Sequence, residues 1–269
     1  MSIQYLILED AIMSREITID NVVIHKKKAI KSVSDVFEAY INNPDSKYLK
    51  KADLLAFWLE AYCKYILEEE TFNYSSVPKY KRGEVISVDF GFNVGSEHGG
   101  KHYAIVLDND NKQSSRVITV IPLSSGTSEK TYERDVYLGN ELYDKLKKKY
   151  DDLRKEYEKE KEIAHYLSLL IESENDTVSE GERVDYSQLL EEKLKNIADR
   201  EKDLNNYEKE LSRLKYGSRA LMEQLTTVSK MRIYQPKKSS DLLYGIKFSD
   251  GAMDKINDKL KELFVFTKN

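Results

Sequence analysis

The sequence predicts an α+β protein in which a small β-rich domain is interrupted by a long antiparallel helical hairpin and preceded by a helical module. Three observations predict it. Residues 81–125 hold three short strand-like runs, Val85–Phe90, Tyr103–Leu107 and Val117–Ile121, around a Gly/Ser-rich loop. Residues 140–215 then step in threes and fours, as two amphipathic helices would. After Tyr216-Gly217-Ser218 the pattern returns to strand and ends in one more amphipathic helix.

Taken in order, residues 1–78 read as the helical module. Ile30, Val33, Phe37, Tyr40 and Ile41 keep helical spacing and stop at Asn42-Asn43-Pro44. Leu55, Trp58, Leu59, Tyr62 and Ile66 form a second stripe, predicted to be core, and Cys63 is expected as a small buried residue on that helix. Ser75–Pro78 reads as a linker. The β-rich half spans 79–139, with Asp135–Leu138 as a further strand. Within 140–215, Leu142, Leu146, Tyr150, Leu153 and Tyr157 mark one arm. Leu190, Ile197, Leu204 and Leu211 mark the other at a spacing of seven, as in a coiled-coil seam. Ser173–Arg183 is the turn between them, and each arm should be on the order of 45 Å long. In 216–269, Ala220–Val228 continues the sheet, and Ser249 is the N-cap of a helix burying Met253, Ile256, Leu260 and Leu263. The piece before the hairpin has too few strands to close a core, so 79–139 and 216–269 are predicted to fold together.

Composition excludes several classes. One cysteine in the chain leaves no internal disulfide and no multi-cysteine zinc site. No apolar run reaches membrane-spanning length, and the start MSIQYLILEDAIM has acids where a secretory leader needs a basic region. A cytoplasmic location with no membrane partner is expected. Net charge is −4 overall, which argues against a general nucleic-acid coat. Its distribution is uneven: −3 over residues 1–78, 0 over 79–139, −5 over 140–215 and +4 over 216–269. A local cationic surface is therefore allowed around the split β-rich domain.

The chemistry-bearing residues cluster. Glu97, His98 and His102 sit on the glycine-rich loop, expected to be flexible, and Ser124 and Ser125 sit at the exit of the third strand. Acid/base groups on a loop beside a rigid sheet suit proton transfer on a large substrate. His98 and His102 are four apart, but Gly99-Gly100 between them argues against a helical metal pair, and no third ligand is evident. Neither a metal nor any other cofactor is implied. Nineteen tyrosines fall largely on apolar stripes, so packing is their default role; Tyr103 is the one placed to stack on a base.

The block KRGEVISVDFGFNVGSEHGGKHYAIVLDND with VITVIPLSS, the later SRALMEQLTTVSKMRI, and the tail KFSDGAMDKINDKLKELF together resemble the MazF/PemK family of toxin endoribonucleases. The resemblance covers about 79–138 and 216–267 and implies an SH3-like β-barrel, commonly a homodimer. It implies metal-independent cleavage of single-stranded RNA by 2′-OH attack, leaving a 2′,3′-cyclic phosphate and a 5′-OH, with a protein antitoxin as partner. Carried over residue by residue, it points to His102, Ser124 and Glu97 for catalysis. Arg82, Lys101, His98, Tyr103, Ser125 and Gln224 are the candidates for substrate binding. One departure matters: His102 stands where the family has an arginine, and Ser124 where it has a threonine. Histidine can exchange protons near neutrality but cannot supply a permanent charged fork for phosphate. A non-catalytic RNA- or protein-binding module of the same fold is the alternative.

Overall fold

The computed structural model describes residues 16–128, 132–175, 186–214 and 217–265, and they fall into two units divided between Leu67 and Glu68. Among the described residues there are five α-helices and seven strands.

The first unit carries α1 (Ile19–Ile41) and α2 (Ser46–Glu68). Thr18 caps α1 by accepting from the Asn21 N–H at 3.2 Å, and Asn42 ends it, as the Asn-Asn-Pro signal predicts. The expected apolar core does not form among the described residues of the unit. No residue of α1 is buried and only Ala52 of α2 is, while Ile30, Phe57, Tyr62 and Ile66 stay about half or more exposed. Two helices have too little surface to bury a stripe on each other. Cys63, expected to be buried, is exposed, because it lies off the half-buried side that carries Leu55, Trp58 and Leu59.

The segment read as a linker belongs to the second unit. Val77 and Tyr80 are buried against the sheet, and Tyr80 donates to the Pro236 carbonyl at 2.7 Å. Gln113 reaches back to the Ser75 and Val77 carbonyls. The sheet itself comprises β1 (Val85–Asp89), β2 (Lys101–Val106), β3 (Val117–Ser125), β4 (Val136–Gly139), β5 (Ser218–Ala220), β6 (Thr226–Ser229) and β7 (Ile233–Gln235). All pairings are antiparallel, in the order β4-β5-β3-β2-β1-β7 with β6 also on β3. The stretch read as one further strand, 220–228, is broken by a short 3-10 turn at Met222–Gln224. α5 (Asp250–Phe264) closes the unit, capped by Ser249 and burying Met253 and Ile256.

Period-two alternation gives the sheet a core on each face. Val85, Ile105, Ile121 and Leu123 face one core; Ile86, Val88, Ala104, Val106, Ile118 and Val120 face the other. The hairpin, α3 (Glu141–Asn175) and α4 (Tyr186–Arg213), is not a detached arm. Its base packs into the first core through Leu142, Leu146, Leu211 and Leu214, beside Leu243 and Phe248 of the returning chain. The antiparallel register shows in the cross-links: Tyr150 donates to Glu208 at 2.6 Å, Lys193 pairs with Glu160 at 3.1 Å, and Arg200 pairs with Glu156. α3 stays helical through Ser173, so the expected turn begins later than predicted; residues 176–185 lie outside the described residues.

Candidate active site

The ladder between β2 and β3 pairs Val106–Ala104 with Val120–Pro122. Beyond it the strands part company. β2 continues to Lys101 on β1, and β3 continues to Ser125 on β5. Pro122 stands at the branch point, where it can donate no hydrogen bond to extend the ladder. The fork opens a cleft of about 280 Å³, lined on one prong by Lys101, His102 and Tyr103 and on the other by Leu123, Ser124 and Ser125. Alternation puts His102 on the face of Ala104 and Val106, and Ser124 on the face of Val120 and Ile118, so the two share a side of the sheet.

The floor of the cleft comes from a part of the chain the sequence did not single out. Glu210, Arg213 and Leu214, at the end of α4, close it together with Leu142. Glu210 accepts from the Tyr103 hydroxyl, and its carboxylate pairs with Arg213 at 3.0 Å. Burial and the Glu210 carboxylate raise the Tyr103 phenol well above its ordinary value, so it stays a donor. The sequence signal for this wall is a basic residue in the last turn of a helix whose chain re-enters the sheet five residues later, at Ser218. Gly217 is needed there: it has φ +74, and a Cβ would lie 2.9 Å from the Tyr137 hydroxyl.

The glycine-rich loop, expected to be flexible, is stapled. Gly100 donates to the Gly91 carbonyl at 2.7 Å, Phe90 to Gly100 at 2.8 Å, and the Asn93 side chain to the His98 carbonyl at 2.7 Å. Gln224 holds it from outside, accepting from the His98 N–H at 3.0 Å and donating to the Ser96 carbonyl at 3.4 Å. Gln224 is thereby committed to the loop.

The two histidine rings lie 4.1 Å apart, and His98 also meets Phe90 edge-on at 5.5 Å. Burial, followed by the neighbouring His102, pushes His98 down to about 4. Its Nε2 is buried without a hydrogen-bond partner, as suits a neutral ring. Burial likewise lowers His102, against a hydrogen bond to the Gly99 backbone that raises it. Both imidazoles are therefore neutral at pH 7: acceptors of protons, not fixed cations.

The remaining sequence candidates fall in different places. Glu97 is exposed and accepts from the Val94 N–H at 3.4 Å. With His98 and Gln224 it lines a neighbouring hollow beside Glu223 and Arg232, apart from Ser124. Arg82 lines neither hollow: its guanidinium donates to the Leu107 carbonyl and to Asn257 on α5. Lys101 sits at the mouth of the cleft with its ammonium 4.3 Å above the Tyr234 ring. Ser124 Oγ donates to the Ser125 carbonyl at 3.4 Å.

Residues 81–152 match the family model described as the PemK-like, MazF-like toxin of type II toxin-antitoxin systems. This segment is similar to PemK/MazF domains. It contains both prongs of the fork and the first turns of α3; the later blocks of the resemblance, in 216–267, lie outside the match. The crystal structure of MazF (Form-I) from Deinococcus radiodurans aligns over 70% of this chain and 99% of its own, at 12% identity and a TM-score of 0.33. No curated protein matches the chain. Among the described residues, no helix of the chain is long and apolar enough to cross a membrane.

Proposed function

We propose that the forked cleft is the active site of a metal-independent endoribonuclease acting on single-stranded RNA. The observation that carries this is that His102, a neutral imidazole, and Ser124, a hydroxyl, line one cleft from two diverging strands within the segment that matches the PemK/MazF model. A neutral His102 accepts the proton of a ribose 2′-OH as that oxygen attacks the adjacent phosphorus. The P–O5′ bond breaks as the P–O2′ bond forms, leaving a 2′,3′-cyclic phosphate. The departing 5′ oxygen takes its proton from water, which the open cleft admits. Ser124 turns its hydroxyl from the Ser125 carbonyl to a phosphoryl oxygen. Tyr103 and Ser125 line the path of the strand, and Lys101 offers charge at its mouth. Glu97 and His98 act one layer back, shaping the loop that leads into β2, which carries His102 rather than the loop the sequence suggested. As a toxin-type domain, the chain is expected to meet a protein antitoxin and to work as a homodimer.

Removal of a general base costs about 10²–10⁴ in rate. His102→Ala should therefore lose at least about 100-fold in cleavage of unstructured RNA, measured as new 5′-OH ends in the presence of chelator, with Ser124→Ala also impaired. The activity of the unmodified protein should fall in acid with a midpoint below 6.5, because the base must be unprotonated and burial lowers it. Wild-type activity in both variants would remove the assignment. The contact of the Ser124 hydroxyl with the Ser125 carbonyl favours a second reading, a binding module of the same fold that holds RNA without cutting it. RNA retained with no new ends would select that reading.

A further inference from the structure

The charge of the cleft is unevenly supplied. Both histidines are neutral, Arg82 is tied to Leu107 and Asn257, and Arg116 lies over the Tyr74 ring. The cations that line the cleft are Lys101, seated over the Tyr234 ring, and Arg213. Arg213 lies in the last turn of α4, where the helix dipole favours a cation, and its side chain is 71% exposed. Glu210 grips it on one side and takes the Tyr103 hydroxyl on the other, which ties the end of the hairpin to β2 of the sheet. A guanidinium carries five donors in a rigid fork matched to phosphate, so one ion pair leaves donors free for a second anion.

We propose that Arg213, delivered by the inserted helical hairpin, is the phosphate-binding guanidinium of the cleft. The hairpin then completes the site: its base walls the fork opposite the histidine loop and adds a charged fork to the cleft lining, whereas Arg219 of β5, opposite Ser124, is paired with Asp135. The proposal rests on the endoribonuclease reading for the identity of the anion, an RNA phosphodiester. The chain alone thus joins residues more than a hundred positions apart, His102 and Arg213, across one cleft.

The test uses the full chain with Arg213→Ala, Arg213→Gln and Arg213→Lys, and Lys202→Ala as an exposed control on the same helix. Two readouts are taken: cleavage of unstructured RNA, and binding of a 2′-O-methyl oligoribonucleotide, which has no 2′-OH to attack, across a salt series. Loss of one phosphate contact should lower the slope of log K against log salt by about 0.7. Loss of a transition-state donor should lower kcat/KM at least about tenfold. Arg213→Ala and Arg213→Gln should show both losses at unchanged melting temperature. Arg213→Lys should keep the slope and recover only part of kcat, because lysine lacks the fork, and Lys202→Ala should match wild type. Arg213→Ala with wild-type slope and wild-type turnover would overturn the proposal while leaving the nuclease reading intact. A wild-type protein that binds but never cuts removes the nuclease reading, yet the salt slope still decides whether Arg213 holds phosphate. A wild-type protein that does not bind the oligonucleotide at all overturns both.

Discussion

Replacing His98 by glutamine should make the fold less sensitive to acid. In the unfolded chain an imidazole titrates near 6.5; in the folded protein burial and the adjacent His102 bring His98 down to about 4. The groups around it are His102, Glu97, Phe90, Gln224 and Arg232. None of them gives its buried Nε2 an acceptor to which a protonated ring could donate. The folded state therefore binds fewer protons than the unfolded one. Its stability is complete above pH 6.5 and declines as pH falls towards 4. At about 1.4 kcal/mol per pH unit, the fall from 6.5 to about 4 sets a ceiling of about 3–4 kcal/mol. The ring lies at the margin of the loop, partly in contact with solvent, and screening there brings the expected loss to about 2 kcal/mol. Urea unfolding of wild type and His98→Gln at pH 7.5, 6, 5 and 4 isolates this term, because carboxylates and His102 titrate in both proteins. The wild-type curve should drop about 2 kcal/mol further than the variant's across that range. Parallel curves would refute the reasoning, showing that the ring protonates freely in the folded loop.

Three other outcomes follow from the same geometry. Gly99→Ala places a Cβ 2.7 Å from the Gly91 carbonyl oxygen; a backbone atom inside a stapled loop cannot yield, and a loss of about 1–3 kcal/mol is expected by thermal unfolding. A change within experimental error would mean the loop is looser than described. Gln224→Ala severs both ties to the loop. It should cost about 1 kcal/mol and speed hydrogen exchange at the His98 amide, so an unchanged exchange rate counts against the tether. Replacing 140–215 by a short turn should abolish cooperative unfolding, because Leu142, Leu146, Leu211 and Leu214 leave the core. Excising only 161–192 should preserve it. Each buried leucine is worth about 2–5 kcal/mol when cut to alanine, and a full deletion that still unfolds cooperatively would show the base of the hairpin to be dispensable.

Much of the architecture was legible in the chain itself, because it is written in local periodicity. The heptad-like steps of 140–215 became a helix pair, alternation over 85–121 became β1 to β3, and Ser249 became an N-cap. His102, Ser124 and Tyr103, candidates from the sequence, line one cleft. Where pattern alone misled, a partner surface was missing from the reasoning. The stripe of Trp58, Tyr62 and Ile66 is amphipathic whether or not anything covers it, and among the described residues of its unit Trp58 is only half-buried while Tyr62 and Ile66 stay exposed. Flexibility was inferred for the loop from its glycines, but Gln224 and the Gly91–Gly100 pair hold it.

The residues alone determined a helical start and a strand-rich segment interrupted by a helical pair, because residue type and spacing set which segments extend and which coil. Tertiary structure decided who stands in the cleft. Arg82 was turned onto α5, Glu97 to a neighbouring hollow, and Glu210 and Arg213 were brought in from the far end of the insertion. The physical reason is range. Spacing within a window of some ten residues fixes which side of an element is apolar. What charge meets an imidazole across a cleft depends on packing between segments a hundred residues apart, which no local pattern contains.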